Sequence, residues 1–196
     1  VLTAAVGLPI VVGAVWWGGR FLLFLVALLA AVGIGEFDNL SRGWGFHPFT
    51  VLEGAGAAFF LIVAHLGMGS WLLPGLAAIL VAVLLAWLLQ GNRREAAVDA
   101  AVTILGILYV GFLLSFLIWI RGLPQGRSLA LLLLASVWTT DAVAYFVGLA
   151  LGRHPLSPRI SPKKSWEGAV AGFAGGIVGA AALGWLLGLP LGVSLA

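Results

Sequence analysis

The fold class expected from this sequence is all-α: a polytopic integral membrane protein with about seven transmembrane helices. Hydrophobic residues make up 62% of the 196-residue chain and charged residues 9%, against about half and about a quarter in soluble domains. Mean hydropathy is +1.16. The apolar residues fall into runs close to the ~20 residues that cross a bilayer as a helix. Within hydrocarbon a single run can satisfy its own backbone N–H and C=O groups only by forming a helix.

The runs cover 2–17, 21–40, 50–66, 70–89, 98–120, 128–152 and 166–189. Gly18-Gly19-Arg20 ends the first, Ser41 to Pro48 the second, and Gly67-Met68-Gly69 makes a short hairpin after the third. Gly91 to Glu95, Arg121 to Arg127 and Gly152 to Ser165 supply the remaining breaks, all turn-forming or charged. The first run has no charged leader, so it is expected to be a span and not a removable signal. Two parts follow: 1–120 with about five spans, and 121–196 with the helices that flank a polar loop at 152–168. Glycines 168, 172 and 176, with the offset pair Gly175 and Gly179, recur every four residues, a spacing that lets a second helix backbone come close. Trp16, Trp17, Trp44, Trp71 and Trp119 flank runs and read as interfacial anchors.

Composition also excludes chemistry. With no cysteine there are no disulfides, thiolate metal ligands or cysteine nucleophiles. The formal charge of +3 and pI near 10 do not indicate nucleic acid, because the cations are dispersed over short loops between apolar runs. Such cations set topology and bind anionic lipid or phosphate. Loops on the side of the N-terminus carry Arg42, Arg93, Arg94, Arg153, Arg159, Lys163 and Lys164, and the other side carries Arg20, Arg121 and Arg127. The richer side is expected to be cytoplasmic.

Asp141 lies near the middle of the sixth run, in "SVWTTDAVAYFVG". An acid at that depth costs at least about 2.5–3.5 kcal/mol on insertion scales and is a functional candidate by default. Trp138 and Tyr145 share its helix face by spacing. Glu36 and Asp38 sit at the end of the second run; a solvated position is expected for Asp38, and for Glu36 a solvated position and a cavity role stand equal. His47, His65 and His154 have no partner at metal-ligand spacing.

The stretch "LSPRISPKKSWEG", 156–168, gathers Arg159, Lys163, Lys164 and Glu167 at the mouth of the seventh helix. Ser161-Pro162 is suited to start that helix, with Ser165 as the alternative cap. Free N–H groups at a helix start, beside two lysines, make a place for phosphate. Glu167 adds a carboxylate that suits a divalent cation.

The residues from Ser136 to Gly176 resemble the phosphatidate cytidylyltransferases, also called CDP-diacylglycerol synthases. The family pattern is matched by Asp141, Ala144, Tyr145, Gly148, Gly152, Arg153, Leu156, Pro158, Ser161, Pro162, Lys164, Ser165, Glu167 and Gly168. "EFDNL" at 36–40 and the 108–127 region are similar to family elements further upstream. The resemblance implies a nucleotidyltransferase that makes CDP-diacylglycerol and pyrophosphate from CTP and phosphatidate. Asp141, Lys164 and Glu167 would then be catalytic, with Ser161, Lys163, Ser165, Arg153, Arg159 and Tyr145 binding substrate. Asp141 and Glu167 would hold Mg²⁺, and a second cation is left open. Partners would be membrane lipid and not nucleic acid, in a bacterial inner membrane, and a homodimer is allowed. The family's acidic, metal-binding C-terminal signature has no counterpart before Ala196, and the chain begins without methionine, so a fragment inactive by itself is expected. The rival readings are a CTP-dependent transferase acting on another lipid phosphate, a transporter with Asp141 as coupling acid, and a scaffold that gathers anionic lipid.

Overall fold

The computed structural model describes residues 2–89, 94–159 and 161–189. Eight helices are named here in chain order: α1 (Leu2–Trp17), α2 (Gly19–Gly43), α3 (Thr50–His65), α4 (Leu72–Leu89), α5 (Arg94–Gly106), α6 (Leu113–Gly122), α7 (Gly126–Leu151) and α8 (Trp166–Leu186). A π-helical segment, Ile107–Phe112, joins α5 to α6. Five segments are long and apolar enough to cross a membrane: Gly19–Gly43, Gly69–Leu89, Ala96–Gly122, Gly126–Leu151 and Trp166–Leu186; Val6–Trp17 and Thr50–His65 are shorter apolar helices. The expected runs thus reappear as helices with ends shifted by a few residues. Of the Gly91–Glu95 break, residues 91–93 lie outside the described residues, and Arg94 and Glu95 open α5.

The all-α expectation needs one addition. Pro155–Ser157 and Ser161–Ser165 form a two-stranded antiparallel hairpin, β1 and β2. Helix entry at Ser161-Pro162 is therefore incorrect, because Ser161 is extended and α8 starts at Trp166 behind the Ser165 cap. Proline at 162 fits the strand as well as a first helical turn, so local chemistry does not separate the two.

The chain divides into two compact units, Val1–Pro124 and Gln125–Ala196. In the first, α3 is the hub. Phe60 of α3, Val83 of α4, Ala100 of α5 and Ile107 form one buried cluster. Edge-to-face rings extend it, with Phe60 and Phe112 centroids 5.0 Å apart and Phe112 and Phe116 also 5.0 Å apart. Glycine permits the closest approach: a Cβ at Gly111 would stand 2.5 Å from Ala57 Cα. The π segment thus lies directly on the α3 backbone, and packing of this kind substitutes for the missing hydrophobic drive in lipid.

Arg121, at the end of α6, donates from Nε to Val15 O at 2.7 Å and from Nη2 to Trp16 O at 3.2 Å. It thereby caps the carbonyl end of α1, where a cation also complements the helix dipole. Nearby, Gly19, Leu22, His65, Trp119, Arg121 and Leu123 line a cavity of about 480 Å³. Trp16, Trp17, Trp44 and Trp71 are exposed, in keeping with interfacial anchoring. Trp119 instead lies against Gly69, its Nε1 buried without a hydrogen-bond partner.

The opposite end of the first unit is polar inside. α2 buries one stripe, Leu22, Val26, Ala30, Ile34, Asp38 and Ser41. Asp38 is only 5% exposed, which overturns the expectation of a solvated end: it continues the four-residue stripe that faces the core. Glu36, two positions away, is exposed. The segment between α2 and α3 is tied down by side chains of α5. His47 N–H donates to Asp99 Oδ1 at 2.6 Å and Phe49 N–H to Thr103 Oγ1 at 2.8 Å. Backbone donors that no helix can satisfy are thus met by buried acceptors.

Candidate functional site

The second unit is a helical hairpin, α7 against α8, with the β-hairpin at its tip. The glycine face of α8 makes the contact. A Cβ at Gly172 would lie 2.7 Å from Ala144 Cβ and 2.9 Å from Thr140 O, and one at Gly168 would lie 2.7 Å from Ala144 O. Hydroxyls on α7 at this seam bond within their own helix, Thr140 Oγ1 to Ser136 O at 2.7 Å and Thr139 Oγ1 to Ala135 O at 2.8 Å. They add polarity to the seam without leaving donors unmet.

The polar loop is built onto the start of α8 by three side chains. Ser165 Oγ accepts from Gly168 N–H at 3.2 Å, the N-cap bond expected of a serine in that place. Glu167 Oε2 accepts the backbone N–H groups of Arg153 and His154 at 3.2 and 3.3 Å. Its Oε1 lies 2.6 Å from His154 Nδ1. The return bond, Trp166 N–H to His154 O at 2.9 Å, closes the ring. Glu167 thus sits in the first helical turn, where its charge also suits the dipole, and holds the start of the β-hairpin to α8.

What the hairpin presents is cationic: Arg153, Arg159, Lys163 and Lys164 are all exposed. Ser161, Lys163, Lys164, Ser165, Glu167 and Arg153 are thereby brought to one end of the unit. Asp141 and Tyr145 are not part of that group. Both are exposed on α7, and Asp141 lies ten residues before Leu151, about 15 Å along the helix at 1.5 Å per residue. Tyr145 stacks edge-on with Phe146, centroids 5.4 Å apart.

The unit's two acidic residues are Asp141 and Glu167, and the Mg²⁺ ligation expected of them does not fit this arrangement. Glu167 has both oxygens engaged by protein donors. Among the described residues no group of three or more His, Asp or Glu is placed to hold a metal, whereas a hard divalent cation takes about six oxygen ligands. Asp141 alone is an open carboxylate here.

Several participants were not legible as such. His154, assigned no partner from spacing, is the partner of Glu167. Glu53, Asp99 and Thr103, all buried in the first unit, carried one available signal: an acid or hydroxyl inside an otherwise apolar helical run. For Glu53 the first-turn position, which ordinarily excuses a carboxylate, concealed it.

Fold and site together define a polytopic membrane protein that displays a clasped, cationic strand hairpin at the mouth of a transmembrane helix. The chain belongs to the cytidylyltransferase family, which it matches over residues 1–195. It is 33% identical to a phosphatidate cytidylyltransferase of Staphylococcus epidermidis over 183 residues, 90% of this chain and 66% of the relative. To the phosphatidate cytidylyltransferase of Brucella abortus it is 32% identical over 204 residues, 98% of this chain and 69% of the relative. A shorter match, 46% over 74 residues and 38% of this chain, is to the phosphatidate cytidylyltransferase of Thermotoga maritima. The chain spans about two thirds of the length of the curated relatives that it matches along most of its course.

Proposed function

We propose that this chain forms the membrane-embedded body of a phosphatidate cytidylyltransferase. A phosphate oxygen of phosphatidate attacks the α-phosphorus of CTP, the bond from that phosphorus to the bridging oxygen of the β-phosphate breaks, and pyrophosphate leaves with the electron pair. CDP-diacylglycerol remains in the bilayer. Phosphoryl-type transfers of this kind need positioning and charge neutralisation more than covalent help.

The observation that carries the reading is the hairpin held on α8 by Glu167, His154 and Ser165, which gathers Arg153, Lys163 and Lys164 at the start of that helix, the positive end of its dipole. That is a polyanion receptor at the end of a lipid-length helix. Lys163, Lys164, Ser161 and Ser165 bind phosphate oxygens, and Arg153 and Arg159 take the second phosphate-bearing substrate. Glu167 positions the hairpin. Asp141 is the open acid of α7, beside Tyr145. Mg²⁺, when bound, neutralises phosphate charge; its shell needs ligands beyond the described residues. The cation count of the loops favours a cytoplasmic hairpin, where CTP is present.

The test is transfer of radiolabel from CTP into chloroform-soluble product by the full-length protein in membranes supplied with phosphatidate. Label is expected with the parent and lost with Lys164→Ala. No label from the parent would remove the enzyme reading, and label appearing only with a different lipid phosphate would reassign the substrate.

A further inference from the structure

Two carboxyl groups in the first unit, Asp38 of α2 and Glu53 of α3, have no part in the chemistry above and occupy an unusual place. Glu53 is 0% exposed and Asp38 5%. Both oxygens of Glu53, and Oδ1 of Asp38, are buried with no hydrogen-bond donor. Buried polar atoms nearly always have a partner, so three unmet oxygens in one place call for a missing group.

The surroundings say what that group is. Asp38 Oδ2 is provided for: the Thr50 hydroxyl donates to it, and Arg42 Nη2 lies 3.6 Å away while donating to Thr50 Oγ1 at 3.1 Å. One arginine therefore balances one carboxylate. Among the described residues Glu53 makes no ion pair. It lies on α3 one helical turn after Thr50, the residue whose hydroxyl reaches Asp38, and its other side rests on Gly106 and Phe37, where a Cβ at Gly106 would run into the carboxyl. Among the described side chains the charged or titratable groups about the pair are Arg42, then Asp99 on α5, which already accepts from His47 N–H, and the exposed imidazole of His47. Glu36 is exposed elsewhere on α2.

We propose that Asp38 and Glu53 bind one proton between them, Glu53 as the carboxylic acid donating to Asp38 Oδ1. One proton supplies both the missing positive charge and the missing hydrogen bond, and two carboxylates sharing a buried site do not both ionise. A metal ion would supply the charge but would lack a ligand shell here. No third carboxylate or imidazole among the described residues is placed to complete a shell, and the Thr50 hydroxyl is already committed to Asp38 and Arg42. The bound proton joins α2 to α3 beside the point where α5 passes into its π-helical segment. Because the folded state holds the proton, the stability it brings is present at low pH and lost as pH rises through the release of that proton.

The test uses the full chain in lipid nanodiscs. Infrared spectra near neutral pH should contain the C=O stretch of an undissociated carboxylic acid, moved by deuterium exchange, and Glu53→Gln should abolish it while leaving the protein folded. Apparent melting temperature at one fixed scan rate should fall for the parent between about pH 6 and about pH 9 and stay level for Glu53→Gln, whose amide keeps the hydrogen bond without the titration. Glu53→Met, neutral and of similar length, gives the same spectral readout if the glutamine variant does not accumulate. The acid band persisting in these variants, or a parent melting temperature independent of pH, overturns the proposal. So does loss of the band with a rise in melting temperature on adding KCl or MgCl₂ to the parent alone, which would assign the site to a metal ion.

Discussion

Glu167 and His154 are joined side chain to side chain, Oε1 to Nδ1 at 2.6 Å, while the second carboxylate oxygen takes the backbone N–H groups of Arg153 and His154. This one residue, at the first turn of α8, determines where a four-cation hairpin stands relative to a helix mouth. Its side chain is 27% exposed and that of His154 78% exposed, so the clasp's value lies in geometry rather than in buried electrostatic energy.

Opening the clasp should therefore reduce turnover more than stability. For Glu167→Ala in the full-length protein we expect a loss of about 10- to 100-fold in kcat/KM for CTP, the scale on which misplacement of about 1 Å acts. Melting temperature should change little. Unchanged kinetics would show that the hairpin holds its place without Glu167.

Asp141 and Lys164 stand at different levels of the second unit, and their variants should fail differently. Lys164→Ala should lower kcat/KM by about 100-fold, as removal of a group that neutralises transition-state charge does. Asp141→Asn should abolish transfer while the protein still inserts, because its carboxylate is the unit's open acid. Normal turnover in the asparagine variant would remove Asp141 from the site. His65→Ala, which lies in the cavity of the other unit, should leave transfer intact.

The α7–α8 seam predicts a steric asymmetry among glycines. Gly172→Val places atoms where Ala144 Cβ and Thr140 O already are, 2.7 and 2.9 Å from a Cβ, and should destabilise by about 1–3 kcal/mol. Gly54→Ala, with nothing within 4 Å of its Cβ, should be neutral or mildly stabilising. Unfolding in mixed detergent micelles measures both.

Arg121 should matter to α1 rather than to catalysis. Arg121→Met removes two donors from the carbonyls of Val15 and Trp16 and should cost about 1–2 kcal/mol. Transfer activity at low temperature should be retained; loss of activity with normal unfolding would assign the arginine another role.

Glu53 and Gly106 give a packing counterpart to the proton test. Gly106→Ala pushes a methyl group into the Glu53 carboxyl and Phe37, and should destabilise by about 1–3 kcal/mol. Combined with Glu53→Ala, which vacates the space, the loss should shrink, since residues in contact are not additive.

How far the sequence carried can be judged from particular residues. The helical runs, the glycine face of α8, the Ser165 cap and the cationic character of 153–164 were legible because each depends on neighbours a few positions away. Hydropathy over one run, spacing of four, and a serine before an apolar stretch are all local properties. The strand at Ser161–Ser165 was missed because Ser-Pro serves a helix start and an extended strand equally well. Asp38 was misplaced although Ile34 and Ala30, four and eight residues before it, were visible, since nearness to a helix end outweighed the face on which it lies.

By itself, then, the sequence determined a chain of lipid-length helices with one polar, phosphate-suited interruption, because partition between water and hydrocarbon is summed residue by residue along each run. Only the tertiary structure decided which side chains meet: Glu167 with His154, Asp38 with the hydroxyl of Thr50, and Asp141 about 15 Å of helix away from the hairpin. Those outcomes depend on how each helix is rotated and where its neighbour lies, and a difference of one residue, about 100° around the axis, turns a buried acid into an exposed one.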